Sequence, residues 1–246
     1  MTDNNLSLPE RVDRIRSRLN EACRRAGRDP DSVRLMAVSK TRSPEEVEIL
    51  SQCGIDLFGE NRVQEASAKI PLCPSRLHWH LIGHLQSNKV RAAARLFECI
   101  HSVDSPSLLA RLNSAAEEEG VQMPVFLEVN VSGESSKFGL APDRVSDVVR
   151  AASGWTRIDL RGLMTIPPFC EDTERTRGHF RALRLLRDRV QAETGAVLSE
   201  LSMGMSGDFE IAVEEGSTLV RIGTDLFGPR SGKGSWARTG EGEAVE

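Results

Sequence analysis

The feature that most constrains the fold is a regular alternation of short apolar runs with helix-like segments. Runs of four to seven residues are too short for typical helices and suit strands buried on both faces, as in a parallel sheet. Segments between them, such as 104–119 and 142–152, space their leucines and valines for one helical face. The eight runs are 33–39, 55–58, 78–82, 98–103, 125–131, 158–164, 197–203 and 218–222.

Parallel strands need crossover connections, and eight strand–helix units in 246 residues match the usual size of a closed barrel. We therefore predict an α/β fold, a single (β/α)8 TIM barrel. An open, doubly wound sheet is the structural alternative.

Two segments flank the predicted barrel. Val12, Ile15 and Leu19 recur at helical spacing, which predicts an extra N-terminal helix from about Pro9 to Ala26. At the other end, the sequence loses all periodicity and is rich in Gly, Ser and Glu. We expect one domain over residues 1–229 and a disordered C-terminal tail over 230–246.

Charge and cysteine content narrow the classes of partner and the compartment. The formal net charge of −4 provides no basic surplus for nucleic acid or anionic membranes, so neither is expected as a partner. Five cysteines form no CxxC or metal-binding spacing, which is typical of a reducing compartment. The N-terminus has no apolar signal core. We expect a cytoplasmic protein that holds no metal.

Lys40 is the first candidate for chemistry. Active sites of (β/α)8 barrels lie at the carboxyl ends of the strands, and Lys40 directly follows the first apolar run. It shares the alternation of Met36 and Val38, so its side chain could point inward at the barrel mouth. A partly desolvated amine there would form imines readily. The alternative is an ordinary solvated surface lysine.

The loops after the seventh and eighth runs suit a phosphate group. One contains Ser202, Gly204, Ser206 and Gly207 before a predicted helix, and the other begins at Gly223-Thr224. Glycines allow backbone N–H groups to approach phosphate oxygens, hydroxyls add donors, and this is the recurrent phosphate position of the fold. These glycines could otherwise serve only as caps and turns.

Arg221 lies inside the eighth run, where a guanidinium is costly unless it is paired or bound to a ligand. A structural salt bridge is the alternative. Asn61 and His84 follow the second and third runs and are weaker candidates, since each could be a cap or a satisfied polar residue.

Six stretches together make the chain resemble the pyridoxal phosphate homeostasis proteins, the YggS/PROSC family. They span most of the sequence and are far more specific in combination than singly. They are AVSKT (37–41), FGENRVQE (58–65), WHLIGHLQSNK (79–89), LEVNVSGESSKFGL (127–140), RGLMTI (161–166) and LSMGMSGDFEIAVEEGSTLVRIGTDLFG (201–228).

This resemblance implies a barrel like the N-terminal domain of alanine racemase, with pyridoxal 5′-phosphate bound as a Schiff base on Lys40. It implies that Arg221 faces the pyridine nitrogen and that Asn61 and Met164 lie beside the ring. It also implies that Ser206, Gly223 and Thr224 hold the phosphate, with Ser202 as a neighbour.

Two function classes follow from the resemblance: a carrier in vitamin B6 homeostasis, or an enzyme of amino-acid chemistry. Alanine racemases use a tyrosine as a second base, and this sequence contains no tyrosine. An arginine beside the pyridine nitrogen disfavours its protonation and weakens the ring as an electron sink. We expect a carrier without substantial turnover that passes the cofactor to apoenzymes. The alternatives are a weak amino-acid racemase or another pyridoxal phosphate-dependent enzyme. A class I aldolase fits less well because aldolase lysines usually lie on later strands.

Overall fold

The computed structural model describes residues 6–135, 137–168, 170 and 172–229. Within these ranges, eight parallel strands close into a barrel in chain order, and the last strand pairs with the first. The strands are β1 Arg34–Val38, β2 Leu57–Glu60, β3 His78–Leu81, β4 Cys99–Val103, β5 Met123–Glu128, β6 Ile158–Met164, β7 Glu200–Ser202 and β8 Leu219–Ile222. The predicted (β/α)8 class is confirmed.

Helices follow the strands on the outside of the barrel, as the crossover argument requires. Those in the described ranges are α1 Leu8–Arg25, α2 Pro44–Gln52, α3 Val63–Lys69, α4 Val90–Leu96, α5 Pro106–Glu119, α6 Val145–Ala152, α7 Thr173–Thr194, α8 Phe209–Glu214 and α9 Thr224–Phe227. Most of the buried apolar side chains form one cluster between strands and helices. Two smaller clusters lie apart from it, and they belong to the inward-facing strand positions.

The extra N-terminal helix is present and supports the last two helices of the barrel. Its buried face is apolar, and the guanidinium of Arg18 bridges α8 and α9. Arg18 donates to a carboxylate oxygen of Glu210 at 3.0 Å and to one of Asp225 at 2.8 Å. The helix therefore fixes the two short helices that follow the predicted phosphate loops.

Local sequence signals locate helix starts better than strand ends. The residues Ser43-Pro44-Glu45-Glu46 have the pattern of a capping box, and in the structure this box opens α2. Strand β2, expected over 55–58, instead runs over Leu57–Glu60. Ile55 packs into the outer core before the strand begins, and pairing with β3 extends to the buried Glu60. The apolar run predicts the strand too early because the last residue of the strand, Glu60, is charged and so lies outside the run.

No helix in the described part of the chain is long and apolar enough to cross a bilayer. The expected tail over 230–246 lies outside the described residues. The division at residue 229 into one domain and a tail therefore stays a prediction.

Candidate functional site

Six of the eight predicted site residues line one pocket at the carboxyl ends of the strands. The pocket has a volume of about 260 Å³. Apolar side chains of Val38, Ile82, Ile166 and Met205 form much of the remaining wall, together with Gly207. The six predicted residues are Lys40, Asn61, Ser206, Arg221, Gly223 and Thr224.

Lys40 lines this pocket because it lies two residues beyond the carboxyl end of β1. Met36 and Val38 belong to one of the small clusters inside the barrel, as their alternation predicts. Lys40 follows two residues after Val38 and lines the pocket with it. Lys40 is therefore placed on the wall of the pocket, where its amine can meet a ligand.

The loops after β7 and β8 meet at the same pocket and are tied to each other. The backbone N–H of Asp225 donates to the Ser206 hydroxyl at 3.3 Å. Gly204 has a φ of 97°, and a Cβ there would lie 2.6 Å from the Ala212 Cβ, so this turn requires glycine. The two loops therefore contribute hydroxyls and glycine backbone to the pocket wall.

Arg221 is almost fully buried beneath the pocket. Its Nη1 donates to the Ser202 hydroxyl at 2.6 Å, and its Nη2 donates to the Thr165 carbonyl at 2.9 Å. Burial lowers the pKa of the guanidinium to about 10, while the charges of Asp208 and Glu128 oppose this. Arginine at this pKa remains protonated at neutral pH.

The salt bridge that the sequence left as an alternative for Arg221 is not found. In the described ranges its direct side-chain partners are a hydroxyl and a carbonyl, both neutral. Arg221 is therefore a buried cation beside the pocket whose direct hydrogen-bond acceptors are neutral, with Asp208 and Glu128 acting on it only through their charge.

A polar chain continues from Arg221 through the barrel interior. Ser202 Oγ lies 2.8 Å from Nδ1 of His101, and Nε2 of His101 lies 2.9 Å from Nδ1 of His80. Burial lowers the pKa of His80 to about 3 and that of His101 well below its usual value, so both rings are neutral. Ser202 can then donate to His101 and His101 to His80, which leaves the serine oxygen free to accept from Arg221.

Sequence reasoning missed His80 and His101. His80 lies between the outward apolar residues Trp79 and Leu81, and His101 follows the outward Ile100, so the period of two could have placed both inside the barrel. What the sequence could not show is that their strands bring them into contact.

The structure places two predicted site residues below the pocket rather than on its wall. Ser202 is fully buried and bonds with Arg221 and His101. Met164 is fully buried in the cluster with Cys99 and Phe126. A direct contact of either with a ligand stays a prediction, and the visible role of Ser202 is to hold Arg221.

His84 also lies outside the pocket wall. Its ring stacks on Phe138 with centroids 4.2 Å apart, and its Nδ1 lies 3.2 Å from a carboxylate oxygen of Asp104. These contacts match the satisfied polar residue that the sequence left open.

The pocket also contains an unsatisfied polar atom. The side-chain oxygen of Asn61 is buried without a hydrogen-bond partner among the described residues. Buried polar atoms are nearly always bonded, so an orphan in a pocket wall fits a ligand that carries polar groups. The pocket wall combines hydroxyls, glycine backbone and a lysine. Such a wall suits a phosphorylated carbonyl compound.

Comparison with known proteins identifies the family. The family described as alanine racemase, N-terminal domain, matches residues 11–231. A pyridoxal phosphate homeostasis protein of Aquifex aeolicus is 43% identical over 222 residues, which cover 90% of this chain and 97% of that protein. The chain belongs to the pyridoxal phosphate homeostasis protein family. The resemblance predicted from the six stretches is confirmed.

Solved structures of similar proteins agree with this membership. PipY of Synechococcus elongatus, described with PLP bound, has a TM-score of 0.81 and 37% identity, covering 90% of this chain and all of that one. Alanine racemase from Corynebacterium glutamicum has a TM-score of 0.67 at 17% identity, covering 91% of this chain and 63% of that one. The latter likeness shows the shared barrel fold.

Proposed function

We propose that this protein binds pyridoxal 5′-phosphate as a Schiff base on Lys40 and serves vitamin B6 homeostasis as a carrier. The observation that carries the proposal is the convergence of Lys40 with the two phosphate-type loops on one pocket. The homeostasis proteins at up to 43% identity and the PLP-bound PipY support the same ligand.

Each wall of the pocket has a distinct part in this proposal. The cofactor supplies an aldehyde that condenses with amines and a pyridine ring that can accept electrons. Lys40 provides the amine, while Ser206, Gly223 and Thr224 hold the phosphate through hydroxyl and backbone donors. Arg221 would face the ring nitrogen, and Asn61 would lie beside the ring.

The charge of Arg221 supports a carrier rather than an enzyme. A guanidinium that is protonated and hydrogen-bonded to neutral groups disfavours a second positive charge on the adjacent ring nitrogen. An unprotonated ring is a weak electron sink, so reactions that remove a substrate proton or carboxylate are slowed. Exchange of the Lys40 amine for another amine needs no such sink. We propose that apoenzymes receive the cofactor by this exchange.

The absorption spectrum of the purified protein tests the proposal. We expect a visible band near the violet end after loading with pyridoxal 5′-phosphate, and borohydride reduction should fix the adduct on Lys40. Peptide mapping identifies the modified residue. An adduct found only on another lysine would refute the assignment, and rapid racemisation or decarboxylation would favour the enzyme alternative.

The phosphate should supply most of the affinity. Hydrogen bonds to charged groups contribute about 1.5–3 kcal/mol each, so pyridoxal should bind at least about tenfold more weakly than its phosphate ester. The double variant Ser206→Ala/Thr224→Val should weaken binding of the ester and leave binding of pyridoxal nearly unchanged. Titration by absorbance measures both constants.

Ser114→Ala is the matched control for this prediction, because Ser114 lies on the outer helix α5 and bonds only within that helix. Equal affinities of pyridoxal and its phosphate ester for the native protein would remove the phosphate role from these loops.

A further inference from the structure

Three charged side chains, two of them fully buried, contact the residues on either side of Lys40. Lys69 ends α3 and is 0% exposed, Glu60 ends β2 and is also 0% exposed, and Glu65 lies in α3. The Lys69 Nζ donates to Glu60 Oε1 at 2.6 Å and to Glu65 Oε1 at 3.0 Å. These three residues are here called the charged cluster.

The charged cluster holds the backbone on both sides of Lys40. On the N-terminal side, Lys69 Nζ donates to the Ser39 carbonyl at 2.7 Å, and the Ser39 hydroxyl donates to Glu60 Oε1 at 2.7 Å. On the C-terminal side, the Thr41 N–H donates to Glu65 Oε1 at 2.5 Å. Three hydrogen bonds therefore bracket a single residue, Lys40.

Thr41 shows that this bracket imposes a conformation. Its φ is 66°, and in the described ranges it is the one residue other than glycine with a positive φ. The left-handed region is unfavourable for a β-branched side chain and persists only where the surroundings enforce it. The Thr41 side chain is exposed, so packing does not hold it there. Two hydrogen bonds do: the Arg42 N–H donates to the Ser39 carbonyl at 3.0 Å and closes a turn with Thr41 at its third position, and the Thr41 N–H donates to Glu65.

Full burial of Lys69 and Glu60 is costly, and an ion pair alone does not explain it. Desolvation outweighs the attraction in many buried pairs, and such groups are most useful where they fix a specific geometry. Burial raises the pKa of Glu60 even with Lys69 beside it. The geometry that these charges fix is the backbone from Ser39 to Thr41.

We propose that Glu65 and Lys69, together with Glu60, are positioning residues that aim the Lys40 side chain into the pocket. This inference rests on the proposed function. Lys69 itself is not a second attachment site, because its amine is fully buried and bound to three oxygen atoms. When the bracket is broken, the turn from Ser39 to Arg42 is less restrained and the Lys40 side chain is no longer fixed toward the pocket, while the phosphate loops stay in place.

Three measurements on Glu65→Ala test this role. Hydrogen exchange of the Thr41 amide in the unloaded protein should become at least tenfold faster. The rate of Schiff base formation on Lys40, followed by absorbance, should fall about tenfold. Affinity for pyridoxine 5′-phosphate, which carries the phosphate and ring without the aldehyde, should change less than twofold.

Two further variants separate positioning from general damage. Glu65→Gln keeps an oxygen that accepts from Thr41, so its rate should stay within threefold of native. Thr41→Gly adopts positive φ without help, so the double variant Thr41→Gly/Glu65→Ala should recover most of the lost rate. Glu48→Ala, an exposed glutamate on α2, should match the native protein in every assay.

Several results would overturn the inference. An unchanged rate in Glu65→Ala would do so alone, as would failure of Thr41→Gly to restore it. An equal loss of pyridoxine 5′-phosphate affinity would show that the pocket as a whole had been damaged. If the native protein formed no adduct on Lys40, the proposed function would fail together with this inference. If the native protein formed the adduct but Glu65→Ala left its rate of formation unchanged, this inference alone would fail.

Discussion

Lys40→Ala should abolish the visible band of the loaded protein while the pocket keeps its capacity for the phosphorylated ring. Among the described residues, Lys40 is the one lysine on the pocket wall. Lys69 is fully buried, whereas Lys89 and Lys137 line two neighbouring clefts. Loss of the covalent bond should weaken pyridoxal 5′-phosphate binding by about ten- to a hundredfold, that is by about 1.4–2.8 kcal/mol.

Pyridoxine 5′-phosphate separates the covalent contribution from the rest of the site. Its affinity should change less than threefold in Lys40→Ala, because the loops after β7 and β8 do not depend on the lysine. Lys89→Ala is the matched control and should keep the band at native intensity. A band that persists in Lys40→Ala, with an adduct mapped to another lysine, would contradict the attachment site and the positioning role of Glu65.

Much of this site follows from local patterns in the sequence. The alternation of Met36 and Val38 continues to Lys40, and the small residues after β7 and β8 mark the phosphate loops. These inferences need only the period of a strand and the known position of sites on a barrel. The structure accordingly brings Lys40, Ser206 and Thr224 together in the wall of one pocket.

The supporting residues could not be predicted because their meaning depends on contacts between distant segments. Lys69 ends a short polar helix and would ordinarily be a solvated surface charge, yet it is fully buried. Arg221 obtains its acceptors from β7 and from the residue after β6. The sequence predicts Ser202 as a neighbour of the phosphate, and what it could not show is that the Ser202 hydroxyl accepts a hydrogen bond from Arg221. Three-dimensional closure of the barrel determines all of these pairings.

Arg221→Glu should shift the site toward catalysis, and this is the strongest test of the carrier assignment. In the native protein the protonated guanidinium opposes protonation of the ring nitrogen, whereas a carboxylate in its place would favour it. A protonated ring accepts electron density from a substrate, so loss of an amino acid's α-hydrogen becomes easier. We expect exchange of that hydrogen with deuterated solvent to rise at least about tenfold, which corresponds to about 1.4 kcal/mol in the barrier.

The increase in exchange rate depends on the charge at position 221, so the control variants change that charge in steps. Arg221→Gln removes the positive charge without adding a negative one, so its exchange rate should lie between those of the native protein and Arg221→Glu. Asp208 and Glu128 contribute further negative charge near this position, so the new carboxylate at position 221 will be partly protonated. The increase in exchange rate should therefore grow with pH until that carboxylate is ionised. Proton NMR at equal cofactor occupancy measures the exchange. Rapid exchange in the native protein, or the same rate in all three proteins, would show that the charge of Arg221 does not restrain turnover.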